Sequence, residues 1–144
     1  MEKGIEVIEF PKEDYKPLKD YEGWRVAVLK HCENTNLDKI RWMQKHMQTD
    51  EVFALLDGNC TLILAGNGDE PGEYKTIEME SHKIYNIRRG FWHNHVLDEK
   101  GEVLIIENQN TTDDNSPTYY MTQEEIENFR KAFEAARCGS TDAE

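Results

Sequence analysis

Four to six side chains in this sequence could converge on a metal ion or move a proton together: Gln44, His46, Glu51 and His93, with His95 and Gln48 as further candidates. His46 and Glu51 sit in the stretch WMQKHMQTDEVFALLDGN, Trp42 to Asn59, with Gln44 two residues before the histidine. His93 lies far along the chain in RRGFWHNHV, followed by His95. Imidazole nitrogen, carboxylate oxygen and amide oxygen suit a divalent first-row metal in a site without thiolate. Two histidines and one carboxylate would leave coordination positions open for substrate or water. The same residues without a metal would form a hydrogen-bonded His–Glu pair in a polar interior.

Strands must position these groups. The segments IEVIEF, WRVAVLKH, KIRWMQKHM, EVFALLDG, CTLILAG, YKTIEM, KIYNI, FWHNHV and EVLIIEN are rich in β-branched and aromatic residues and are punctuated by Gly, Asn, Asp and Pro. Side chains alternate faces along a strand. Ile40, Trp42, Gln44, His46 and Gln48 therefore share one face, with Trp42 able to floor a pocket. His93 and His95 share another, away from Trp92 and Asn94. If the strands pair across the corner at Thr49-Asp50, Glu51 points at the space that Gln44 and His46 face. LLDGNCTLIL reads as a tight hairpin through Asp57-Gly58-Asn59, and AGNGDEPGEY and LDEKGEV read as further loops. Turns at this rate indicate an all-β sandwich or barrel.

The end of the chain has a different pattern. TQEEIENFRKAFEAARCG predicts a helix over about 122–137. Thr122 and Glu125 make a capping box, Ile126, Phe129 and Phe133 form an apolar stripe, and Gly139 is the stop. The stripe is expected to pack on the outside of the sheet or on a partner subunit.

A chain of 144 residues favours one domain with one sizeable core. The net charge of -12 argues against nucleic-acid and anionic-membrane partners, since both would be repelled. No apolar run is long enough to span a bilayer, and the charged start MEKGIEVIEF has no leader-like apolar region. Cys32, Cys60 and Cys138 are odd in number and make no CxxC pair, so a reducing, cytoplasmic setting is the expectation.

The spacing of the site residues resembles the cupin superfamily, over roughly residues 24 to 108. The first cupin motif, His-x-His, three or four residues, Glu, six residues, Gly, is similar to Gln44-Lys45-His46, MQTD, Glu51, VFALLD, Gly58, with Gln44 in place of the first histidine. The second, Pro-x-Gly, two residues, His, three residues, Asn, is matched at Gly90 and His93, with Arg88 for the proline and Leu97 for the asparagine. Asp38 and His82 stand where each motif's leading glycine would be. The resemblance implies an all-β, double-stranded β-helix (a jelly-roll barrel), often dimeric, that binds Mn, Fe, Ni, Zn or Cu inside.

The expectation is therefore a single domain over 1–144, with a barrel over about 5–110 and a C-terminal α-helix. The resemblance implies metal ligands Gln44, His46, Glu51 and His93, with Glu51 as ligand or proton carrier. The substrate-pocket residues would be Trp42, Gln48 and His95. Metal-free binding of a ligand remains the alternative. The partners expected are a small polar metabolite, such as a sugar derivative or organic acid, and a second copy of the chain.

Overall fold

The structure, a computed structural model, describes residues 4–12 and 14–142, with side chains through residue 137. Among the described residues, ten strands are followed by one α-helix: β1 (Tyr15–Tyr21), β2 (Trp24–Lys30), β3 (Trp42–Gln44), β4 (Glu51–Asp57), β5 (Cys60–Leu64), β6 (Lys75–Glu78), β7 (Ile84–Ile87), β8 (His93–Leu97), β9 (Glu102–Asn108), β10 (Thr118–Tyr120) and α1 (Gln123–Asp142). They form two five-stranded antiparallel sheets, ordered β1-β2-β9-β4-β7 and β10-β3-β8-β5-β6. Apart from the β1–β2 and β5–β6 pairs, each strand is followed by one in the opposite sheet. The chain thus winds back and forth across the sandwich as a double-stranded β-helix does.

This winding corrects the sequence reading of Asp57-Gly58-Asn59. β4 pairs with β7 and β9, while β5 pairs with β6 and β8, so the turn is a corner between sheets and not a hairpin. A second corner, between β8 and β9, packs against it. Asn59 donates to Asp98 from its backbone N–H at 3.0 Å and from its side-chain amide at 2.7 Å. Gly58 has φ +63°, and a Cβ there would overlap the backbone of Lys100, which is why the corner needs glycine. The two corners close one end of the barrel. The starts of β2, β4 and β8 and the end of β9 gather at the other.

Two apolar layers follow from strand alternation. Between the sheets lie Ala27, Leu29, Phe53, Leu62, Val103 and Ile105, with Cys60 as a small buried member. Outside the β3–β8–β5 sheet, Ile40, Met43, Ile63, Trp92 and Val96 meet Ile126 and Phe129 of α1. The helix therefore covers its own sheet. Its start is capped as expected, with Thr122 N–H donating to Glu125 Oε1 at 2.8 Å and Glu125 N–H to Thr122 Oγ1 at 3.2 Å.

Three expectations need correction. IEVIEF makes no strand: Ile5, Val7, Ile8 and Phe10 are exposed, because a period-two pattern yields a strand only where a neighbour supplies hydrogen bonds. The strand beside β2 is β1, YKPLKDY, whose Pro17 is tolerated at a sheet edge next to a shift in register. KIRWMQKHM is a strand only over Trp42–Gln44. α1 continues through Gly139 to Asp142, since a helical glycine costs about 1 kcal/mol and does not by itself end a helix. The side chain of Cys138 lies outside the described residues, while Cys32 and Cys60 carry free thiols. Among the described residues, no helix is long and apolar enough to cross a membrane.

Candidate metal centre

The open end of the barrel holds a cavity of about 620 Å³. Glu51 enters it as the first residue of β4, on the interior face it shares with Phe53. His93 enters as the first residue of β8, on the face it shares with His95. His46 lies past the end of β3, in the segment that crosses to the opposite sheet. β3 and β4 do not pair, yet the crossing delivers His46 to Glu51: His46 Nε2 is 3.3 Å from Glu51 Oε1, and His93 Nε2 is 3.1 Å from the same oxygen. All three residues are buried, and their ligand atoms lie within 4.8 Å of one another.

The far side of each ring fixes its tautomer. His93 Nδ1 lies 3.0 Å from the Phe91 carbonyl, which can only accept, so Nδ1 carries the proton. His46 Nδ1 lies 2.7 Å from Ser116 Oγ. The Ser116 hydroxyl donates to Asn115 Oδ1 at 3.2 Å, leaving its oxygen to accept from His46. Asn115 is oriented in turn by the Thr112 N–H and the Asn110 carbonyl. Both Nε2 lone pairs therefore face the carboxylate.

Glu51 Oε1 makes no hydrogen bond of good geometry among the described residues, although it is buried. Three lone-pair donors aimed at one small space repel unless positive charge lies among them. A divalent cation meets that need, and so does a second proton on an imidazole. Burial is the largest influence on Glu51 and raises its pKa, but the two imidazoles outweigh it and hold the carboxyl well below the usual range. Burial lowers the His93 pKa, while Glu51 reverses that and raises it. The donor set of two neutral imidazoles, each tied through Nδ1, and one carboxylate fits a first-row metal.

The other expected site residues divide. Gln44 and Trp42 line the cavity. The Gln44 amide nitrogen donates to the Ser116 carbonyl at 3.3 Å and to Thr118 Oγ1 at 3.4 Å, which leaves its oxygen uncommitted by those bonds. His95 lines the cavity with a buried Nδ1 that has no hydrogen-bond partner among the described residues; burial pushes its pKa down to about 4. Gln48 does not belong to the site. The strand ends at Gln44, so alternation fails beyond it, and Gln48 is exposed, accepting from the Asn110 amide at 3.2 Å.

The sequence reading missed Tyr15, Arg25, Glu107 and Ser116. Arg25 and Glu107 are cross-strand partners on the interior face. Glu107 is buried and accepts from Tyr15 Oη at 2.8 Å, with Arg25 Nη1 at 3.9 Å. Burial and then the Glu51 charge push its pKa up to about 7. The alternation Val103, Ile105, Glu107 was the available signal for this carboxylate. Tyr15 and Ser116 carried none, since one sits on a polar edge strand and the other in a loop.

No protein-family model and no curated protein matches the sequence. Solved structures do match by fold. Streptomyces PAC13, solved with uridine, superposes with a TM-score of 0.54 at 8% identity, over 82% of this chain and 88% of that one. Pac13 is described as a nucleoside dehydratase. WlaRA, a TDP-fucose-3,4-ketoisomerase from Campylobacter jejuni, gives 0.53 at 15% identity, over 67% and 68%. An RmlC-like cupin with a double-stranded β-helix fold from Methanocaldococcus jannaschii gives 0.49 at 13%, over 73% and 91%. At these identities the likeness is one of fold. The chain has a double-stranded β-helix fold, as its own strand order shows.

Proposed function

We propose that this protein is a metal-binding cupin that acts on a small polar metabolite in the barrel cavity. His46, Glu51 and His93 would hold the metal, with the amide oxygen of Gln44 as a fourth donor. The observation that carries this reading is the convergence of two tautomer-fixed Nε2 atoms on an otherwise unpartnered carboxylate oxygen. A bound divalent ion would supply Lewis-acid polarisation of a substrate carbonyl or hydroxyl.

The chain's own groups do the rest. Ser116 and the Phe91 carbonyl hold the two rings in place. Trp42 offers an apolar wall for a ring. Glu51 serves as ligand or carries a proton to or from the substrate, and isomerase, lyase and dioxygenase chemistries all fit this set. The fold neighbours solved with uridine or acting on a TDP-sugar support a ligand of the sugar or nucleoside type.

A second reading is a metal-free barrel that binds its ligand without catalysis. The upward shift of His93 favours it, because an imidazolium against Glu51 also resolves the lone-pair conflict. Elemental analysis of protein purified without chelator or affinity-tag metal separates the two. Near-stoichiometric metal in the parent, lost in both His46→Ala and His93→Ala, is the expected result. A metal-free parent that takes up no added Mn, Fe, Ni or Zn overturns the metal reading.

A further inference from the structure

The cavity's charge points to a narrower ligand class. Among the described residues its lining carries four carboxylates, Asp14, Glu51, Glu107 and Asp113, one guanidinium, Arg25, and no lysine. Arg25 is already committed: Nε and Nη2 donate to Asp20 at 2.8 and 3.3 Å, and Nη1 donates to the Thr111 carbonyl at 3.5 Å. A divalent ion at the histidines would still leave the lining without net positive charge. The whole chain, at -12, adds to the same field. A phosphate entering here would meet like charge, and no side-chain cation among the described lining residues is free to receive it.

The polar groups suit hydroxyls instead. An ionised carboxylate can only accept and a protonated one still offers its carbonyl oxygen, so either form can meet a sugar hydroxyl, which is a neutral donor. Glu107 sits on the interior face with one oxygen accepting from Tyr15, and Trp42 supplies a flat surface for a base or sugar ring.

We infer that the cavity selects an uncharged, hydroxyl-rich ligand of nucleoside or free-sugar type over its phosphorylated form, with Glu107 meeting the ligand's hydroxyls. This rests on the proposed ligand-binding role of the cavity and narrows it. It separates the two chemistries found among the fold neighbours, uridine and a TDP-sugar.

The test is calorimetric titration of the full chain with uridine, thymidine, UMP and TDP, each at low and physiological salt. The nucleosides are expected to bind at least roughly tenfold more tightly than their phosphorylated forms at low salt. The gap should narrow as added salt shortens the screening length from about 30 Å to about 8 Å, with nucleoside affinity unmoved. Asp113→Asn, at the exposed rim, should narrow the gap by improving UMP binding alone. Glu107→Gln should weaken uridine more than UMP. UMP or TDP binding as tightly as the nucleosides overturns the selectivity but leaves the cavity a ligand site. Failure of all four to bind overturns both the selectivity and the ligand-site reading.

Discussion

At the scale of single residues, the account depends on what stands behind the histidines. His46 and His93 can present Nε2 lone pairs because Ser116 Oγ and the Phe91 carbonyl accept hydrogen bonds from their Nδ1–H groups. The Phe91 contact is backbone and cannot be removed by substitution, but Ser116 can. Ser116→Ala should lower metal affinity by roughly 10- to 100-fold while leaving the fold intact, since second-layer hydrogen bonds of this kind set ligand orientation. Competition against a chelator of known affinity measures it, and an unchanged affinity would show that the serine does not orient the ring. His46, Glu51 and His93 were legible in the sequence through residue type and spacing. Ser116 was not, because a serine in a loop 70 residues from its histidine carries no periodicity or motif. Gln48 was misread for the complementary reason: alternation was extended beyond the three residues that form β3.

At the scale of elements, the strands rich in β-branched residues were legible and the polar ones were not. β2, β4, β5 and β9 follow their apolar patterns, whereas β1 contains two lysines and a proline and holds its place by pairing with β2. Corners were harder still, because Asp-Gly-Asn suits both a hairpin and a crossing between sheets, and only the pairing of β4 with β9 decides. The turn between β6 and β7 gives a sharper case. His82 stands where the second cupin-like motif would carry glycine, and its φ is +69°. The backbone holds the left-handed conformation that glycine adopts freely, so a β-carbon is strained there. His82→Gly should raise stability by up to about 1 kcal/mol, the strain relieved less the added freedom of the unfolded chain. A urea denaturation midpoint that falls instead would show that the exposed imidazole makes a compensating contact.

At the scale of the molecule, the two sheets differ in what covers them. α1 packs on the outside of one. The outer face of the other aligns Val26, Ile106 and Val52 in one row and Leu104, Ala54 and Ile84 in the next, beside the fully buried Val28. Ile106 and Ile84 are 41% and 72% exposed, which is high for aliphatic side chains on a continuous sheet face. We propose that a second copy of the chain covers this face. Sedimentation equilibrium should then give twice the 16.9 kDa chain mass, and Ile106→Glu should shift it toward the single mass. A parent that sediments as one chain contradicts the dimer. The central claim is the metal held by His46, Glu51 and His93, and anomalous diffraction from crystals of metal-loaded protein tests it most directly. The account predicts one strong anomalous peak at the absorption edge of the bound metal, lying among His46 Nε2, His93 Nε2 and the Glu51 carboxylate. A cavity without such a peak, with the two imidazoles bonded directly to Glu51, would contradict it.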